Sequence, residues 1–223
     1  MATDAPTAMP TDAHILTLAQ WFSPAYPVGA FSYSHGLEAA AEAGDVTDAT
    51  SLHRWIADVL RFGTGHADAL FIAAAYHAPD NTALDEINAT ARAFAPSAER
   101  LRETDLQGAA FCKITAEVWD TQTTAMAYPV AVGHAARVHG MPLALTTSIY
   151  LHAFAANLVA AGQRLAPVGQ SQAQKITRAL ALLCLEIAQD TGDGDLGRLT
   201  STAYLTDIAS MHHETKYARI FQT

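Results

Sequence analysis

Apolar residues recur along this chain at helical spacing almost from end to end. Ile15, Leu18, Ala19 and Phe22 form a first stripe, stopped at Ser23-Pro24 because proline disfavours a helical residue before it. Leu37 to Ala43 is alanine-rich and closes at Gly44, a residue suited to a left-handed C-cap. Thr47 or Asp48 can cap the next segment, in which Leu52, Trp55, Ile56, Val59 and Leu60 share one face before Gly63. His66 to His77 follows and ends at Pro79. Asp80 or Asn81 then starts a helix carrying Leu84, Ile87, Ala91 and Phe94. Pro96-Ser97 opens a longer one with Leu101, Gly108, Phe111, Thr115 and Val118 on one side. Tyr128-Pro129 and Met141-Pro142 each place proline where a helix start tolerates it, with Gly140 between them. Leu151, Phe154, Leu158 and Leu165 make another stripe, broken at Pro167–Gln170. Ser171 can cap the last long helix, which carries Ile176, Leu180, Leu183 and Ile187.

No segment alternates with period two between turn signals, so strands find no support. The pattern predicts an all-α fold, a single compact domain of about ten helices. Residues 1–13 read as a flexible tail and 14–189 as the helical body. The Gly/Asp-rich stretch 190–198 reads as a linker, and 199–223 as a separate C-terminal segment.

Composition narrows the function classes. Half of the residues are hydrophobic and only 16% are charged, which argues against disorder. A formal charge of −9 makes a broad nucleic-acid surface improbable, since phosphate binding needs clustered Lys and Arg. Cys112 and Cys184 stand far apart within apolar helical patterns and read as buried, reduced thiols. The N-terminus lacks the pattern of a secretory signal. The longest apolar run, Ala179 to Leu185, falls well short of the roughly 20 residues that span a bilayer. A cytoplasmic protein without membrane contact is the expectation.

Catalytic motifs are hard to find. The phosphate-cradling GxxxxGK[ST] pattern is missing. Ser32 to Gly36 lacks the glycine and the strand that a nucleophile elbow requires. His213-Glu214 continues to Tyr217 where a zinc-binding HExxH helix needs its second histidine. The aspartates at 190, 193 and 195 have no closing glutamate at calcium-loop spacing. Adjacent His212 and His213 could hold a borderline metal such as nickel, but a solvated or interface role suits them better. Glu99 and Glu103 share a helix face in the manner of a solvated surface. The reading is of a protein that is not an enzyme, with no metal site or cofactor of its own.

Ser23 to Glu38 is the most unusual stretch. Pro24 and Pro27 fix φ, Gly29 and Gly36 permit turns, and Tyr26, Phe31 and Tyr33 add large apolar area with polar tips on the tyrosines. It is either a structured loop that closes the core or a contact surface.

That stretch, Ser23-Pro-x-x-Pro-Val-Gly-Ala-Phe-Ser-Tyr-Ser-x-Gly-Leu-Glu38, resembles the urease accessory protein F (UreF) family. Three further segments match in order. They are Leu101-Arg-Glu-Thr with Gly108, then Tyr128 to Gly133 continuing through Gly140 to Arg164–Gln170, and finally Asp207 to Phe221. The resemblance implies an all-α, dimer-forming chaperone for nickel insertion into the urease apoprotein. Such a protein acts with UreD/UreH to recruit the nickel-carrying GTPase UreG. A helical metal-dependent enzyme and an unrelated dimeric helical adaptor are the competing readings.

On the resemblance, the partner-binding residues would be Pro24, Pro27, Gly29, Phe31, Ser32, Tyr33, Gly36 and Glu38 in the loop. Arg164, Gly169 and Gln170 would follow, and in the C-terminal segment His213, Glu214, Tyr217, Arg219 and Phe221. The prolines and glycines would shape the loop and its aromatics would anchor the partner. The C-terminal segment would order only on docking. Two departures stand out. His35 sits where the family often has glutamine, and the chain ends Ile-Phe-Gln-Thr where Leu-Phe-Arg-Ser is frequent, with one cation fewer.

Overall fold

A computed structural model describes residues 10–121, 123–200 and 202–223. Among them lie ten α-helices and no strand, so the all-α class read from periodicity is the class of the fold. The helices are α1 (Asp12–Trp21), α2 (Leu37–Ala43), α3 (Ala49–Phe62), α4 (Thr64–His77) and α5 (Asn81–Ala93). They continue as α6 (Ala98–Trp119), α7 (Tyr128–Val138), α8 (Leu143–Leu165), α9 (Gln170–Asp190) and α10 (Tyr204–His213), with 3-10 turns at Ala30–Ser32 and Leu196–Arg198.

Side-chain caps set several boundaries where the sequence placed them. The Asp48 and Asp80 side chains accept the amides of Ser51 (2.8 Å) and Ala83 (2.9 Å), and Ser97 accepts that of Arg100 (3.2 Å). Each such cap is worth about 1 kcal/mol, because it satisfies a donor that the first helical turn leaves orphaned. Two boundaries move. The last long helix begins at Gln170 after Gly169, not at Ser171. The first begins at Asp12, capped by Thr11, so the last two residues of the supposed tail are helical; residues 1–9 lie outside the described residues.

The first stripe is also redistributed. Leu18 and Trp21 are buried, whereas Ile15 and Leu16 face outward. Only the last turn of α1 reaches the core, where the Trp21 ring meets Phe111 edge-on with centroids 5.4 Å apart.

The core is organised around α4 and α8. Nine of the fourteen α4 residues are buried, as expected of a helix surrounded by α3, α5, α7 and α8. Its approach to α7 depends on Gly133, where a Cβ would stand 2.2 Å from the Ile72 carbonyl oxygen. Helix α8 is long and apolar enough to cross a bilayer by length and composition alone. Its Tyr150, Leu151, Leu158 and Val159 are instead buried against the neighbouring helices α3, α4 and α9. Cys112 and Cys184 are free and buried, and burial pushes both thiols up from their ordinary range.

Residues 190–198 form a turn closed by local hydrogen bonds and ion pairs. Thr191 is buried and its hydroxyl donates to the Ile187 carbonyl at 2.8 Å. The Arg198 guanidinium donates to the Asp190 carbonyl at 2.7 Å and pairs with the Asp190 and Asp193 carboxylates. The aspartates that make the stretch look like a linker are the groups that fold it. Beyond it, α10 packs on α2 and α6 and returns the chain to the loop between α1 and α2.

Candidate functional site

The loop after α1 is built from local turns and one buried anchor. The Tyr26 amide donates to the Ser23 carbonyl at 2.9 Å, and the Tyr26 ring inserts into the core, its hydroxyl 2.8 Å from Thr115 Oγ1. Pro24 and Pro27 stay exposed. Gly29 opens the 3-10 turn, which lifts Phe31 outward with 70% of its surface exposed. The chain then dives inward, burying Tyr33, Ser34, His35 and Gly36. His35 has a φ of 54°, a left-handed backbone uncommon outside glycine. Gly36 follows at 74°, and a Cβ there would stand 2.7 Å from the Ser210 amide nitrogen of α10. Its absence allows α2 and α10 to meet.

The C-terminal segment docks on this loop within the same chain. The Gln222 amide donates to the Ser32 carbonyl at 2.8 Å, and the Ser34 amide donates to the Thr223 main-chain oxygen at 3.0 Å. Glu38 is the hub. Only 2% exposed, it accepts the amides of Ile220 (3.0 Å) and Phe221 (2.9 Å) and the Lys216 ammonium (2.9 Å). Burial would raise its carboxyl, but these donors overcome that and hold it down at about 2. His213, with no exposed surface, has Nε2 3.3 Å from Glu38 and Nδ1 2.7 Å from Glu99. Arg219 pairs with Glu99 and donates to the Glu214 carbonyl at 2.8 Å. Phe221 is buried beneath the Arg164 guanidinium, which lies 4.4 Å from its ring centre.

In this structure the segment finds hydrogen-bond and ion-pair partners within its own chain. Tyr33, Glu38, His213 and Phe221 are buried in this conformation, and Gly36 lies under α10. Their work is to join loop and tail. Ser32 and Glu214, half-buried, serve the same joint. Pro24, Pro27, Phe31, Arg164 and Tyr217 remain outward, with Tyr217 fully exposed. Gly169 and Gln170 are exposed at the start of α9, where the Gln172 side chain accepts the Gly169 amide at 3.0 Å. His212 points to solvent while His213 points inward, so the adjacent pair cannot converge on one metal ion. No group of three or more His, Cys, Asp or Glu among the described residues could hold one.

A mainly apolar cleft runs beneath the loop, and its polar lining includes Tyr33, His35, Asp68, Arg100, Glu103 and Tyr150. Glu103 is 3% exposed, unlike the solvated residue its spacing suggested. It pairs with Arg100 and accepts from Gln107 Nε2 at 2.9 Å and Thr223 Oγ1 at 3.0 Å. His35 Nε2 lies 2.8 Å from Glu103 and 2.8 Å from Arg100. Burial, helped by Arg100, pushes the His35 ring down, while Arg100 and His35 hold Glu103 down against its own burial. The Tyr150 hydroxyl donates to Asp68 at 2.6 Å, and burial pushes Asp68 up to about 6. Sequence reading missed this cluster. His35 and Glu103 stood out singly in the sequence, and Asp68 is a lone carboxylate inside the alanine-rich α4, but nothing in the spacing joined them.

Tyr150→Phe removes the only donor in that pair. We expect Asp68 to titrate above 6 and the protein to lose about 1.5–3 kcal/mol, as for a hydrogen bond to a charged group. A carboxyl raised by burial contributes most stability below its unfolded value and loses it as pH rises through the folded one. The deficit of the variant should therefore be larger at pH 8 than at pH 5 in chemical denaturation. An equal deficit at both pH values would remove Asp68 from the explanation.

The UreF family model matches residues 46–181. The urease accessory protein UreF of Ruegeria pomeroyi is 57% identical over 216 residues, covering 97% of this chain and 100% of the relative. The chain belongs to the UreF family. The UreF of Roseobacter denitrificans is 50% identical over 216 residues, with 96% of both chains covered. The UreF of Rhodopseudomonas palustris is 43% identical over 231 residues, covering 98% of this chain and 95% of that one. The family model covers the helical core from just before α3 into α9, while the loop at 23–38 and the docked tail lie outside its span. The whole-length relatives cover nearly all of the chain, so the UreF likeness is not confined to the core. These UreF relatives are named as accessory proteins, not as enzymes.

Proposed function

We propose that this chain is a non-catalytic scaffold for nickel insertion into apo-urease, binding UreD/UreH and with it recruiting the GTPase UreG. It works in the cytoplasm as a homodimer within that assembly. One observation carries the reading. Tyr204, Leu205, Ile208 and Met211 lie at i, i+1, i+4 and i+7 on α10, all between 46% and 69% exposed, while Thr206, Ala209, Ser210 and His213 bury the opposite face. A helix that buries small and polar residues and turns its large apolar ones outward suits a partner's surface. Phe31 and Tyr217 add exposed aromatics of the kind that anchor interfaces. The tail supports this surface from below by holding α10 on α2. The UreF names of the whole-length relatives support the urease context.

Leu205→Asp with Ile208→Asp tests it. Both side chains face outward, so circular dichroism should be unchanged. Capture of UreD/UreH should fall on the order of a hundredfold, as for loss of interface anchors worth about 2–4 kcal/mol. Urease activation at fixed nickel and GTP should fall with it. Full capture and activation by the double variant would remove α10 as the docking face.

A further inference from the structure

His213 has no exposed surface, yet both ring nitrogens face carboxylate oxygens, Nδ1 to Glu99 on α6 and Nε2 to Glu38 on α2. An ionised carboxylate only accepts, so both contacts are hydrogen bonds only when both nitrogens carry a proton. The neutral ring has one N–H and would turn a lone pair toward one of the carboxylates. His213 is the last residue of α10, where the helix dipole stabilises a cation. Glu38 and Glu42 face the cluster from α2, Glu99 from α6 and Glu214 from the end of α10 itself. Against these four carboxylates stand two permanent cations of the tail, Lys216 on Glu38 and Glu42, and Arg219 on Glu99. A charged His213 is the third cation.

We propose that His213 is a protonation-controlled latch: as imidazolium it ties α10 to Glu38 and Glu99 and holds residues 214–223 against the loop, and its deprotonation releases them. Glu38 transmits the change. It also accepts the Ile220 and Phe221 amides, so a repulsive lone pair at its Oε2 loosens the same oxygen that binds the tail backbone. The sign follows from the charges. Docking is complete at pH values where His213 is protonated and weakens as pH rises through its titration. At the acid end docking is lost where Glu38 takes up its proton near 2.

The test uses the full-length chain without partners, so it reads the latch separately from docking on the α10 face. Imidazole 15N signals of His213 report its protonation, and hydrogen exchange at Ile220 and Phe221, corrected for intrinsic rate, reports the tail. Both ring nitrogens of His213 should be protonated while the tail is docked. Protection at the two amides should fall by about tenfold to a hundredfold across the titration, the scale of one charge-assisted hydrogen bond. His213→Gln should abolish the step. Glu99→Gln, which removes one of the two carboxylates facing the ring, should move the titration and the step to lower pH together. The proposal is overturned by a docked tail with a singly protonated His213, by an unchanged step in His213→Gln, or by a step that stays put in Glu99→Gln while the titration moves. If His213→Gln does not fold, the Glu99→Gln comparison decides alone.

Discussion

Glu38→Ala is expected to free the C-terminal segment and cost on the order of 3–5 kcal/mol, the usual result of removing one side of a buried ion pair. For a chain of this size that lowers the melting temperature by about 10 °C. The magnitude follows from what is left behind. Two main-chain amides, Ile220 and Phe221, lose their acceptor, and Lys216, 12% exposed, keeps only Glu42. Buried donors without acceptors are costly, so the segment should leave its groove and seek water rather than stay. Limited proteolysis checks this: cleavage within 214–223 should become fast while helices α3 to α9 resist. The pH dependence has a definite sign. A carboxyl held at about 2 against an ordinary 4.5 contributes stability that is whole above 4.5 and lost as pH falls through 2. The gap between wild type and variant should therefore shrink only in strong acid. A variant that keeps its tail protected would mean that the Ser32–Gln222 and Ser34–Thr223 pairings are enough alone.

Arg100→Ala should destabilise by a similar amount, about 3–5 kcal/mol, through Glu103. The pair is almost wholly buried, with side-chain exposures of 9% and 4%. Without the guanidinium, Glu103 keeps Gln107, Thr223 and His35, of which only His35 can supply positive charge. Arg100 now pushes the His35 ring down, so its removal should let His35 take up a proton more readily. Two results would separate this account from mere loss of packing. His35 should titrate at higher pH in the variant. Adding Glu103→Gln should recover part of the stability, because a neutral amide no longer needs a countercharge. A double variant no better than the single one would assign the loss to the arginine's packing.

The two variants bear on different parts of one joint. Glu38 ties the tail to α2, and Glu103 holds the last residue, Thr223, against α6. The predicted partner residues fall on the two sides of this joint. Phe31, Arg164 and Tyr217 face out, where a partner can reach them, while Tyr33, Glu38, His213 and Phe221 face in. Changing the inward group should act first through stability, and changing the outward group through binding.

The sequence by itself determined the helical class, most helix boundaries and the family. These rest on local physics: apolar spacing, caps such as Asp48, Asp80 and Ser97, and prolines at helix starts are set by residues within a turn of one another. The singular chemistry of 23–38 and of 207–221 was legible too, as two separate segments. What only the tertiary structure decided is that they are one site. Glu38 and Phe221 are 183 positions apart and His213 and Glu99 are 114 apart, and no periodicity couples such distances. Charge misled for the same reason. Glu99, Glu103 and the aspartates of 190–198 read as solvated because a carboxylate alone belongs in water. Arg219 meets Glu99 across 120 positions, whereas Arg100 and Arg198 stand within eight residues of their carboxylates, and for Glu103 it is the burial of the pair that only the tertiary structure decides.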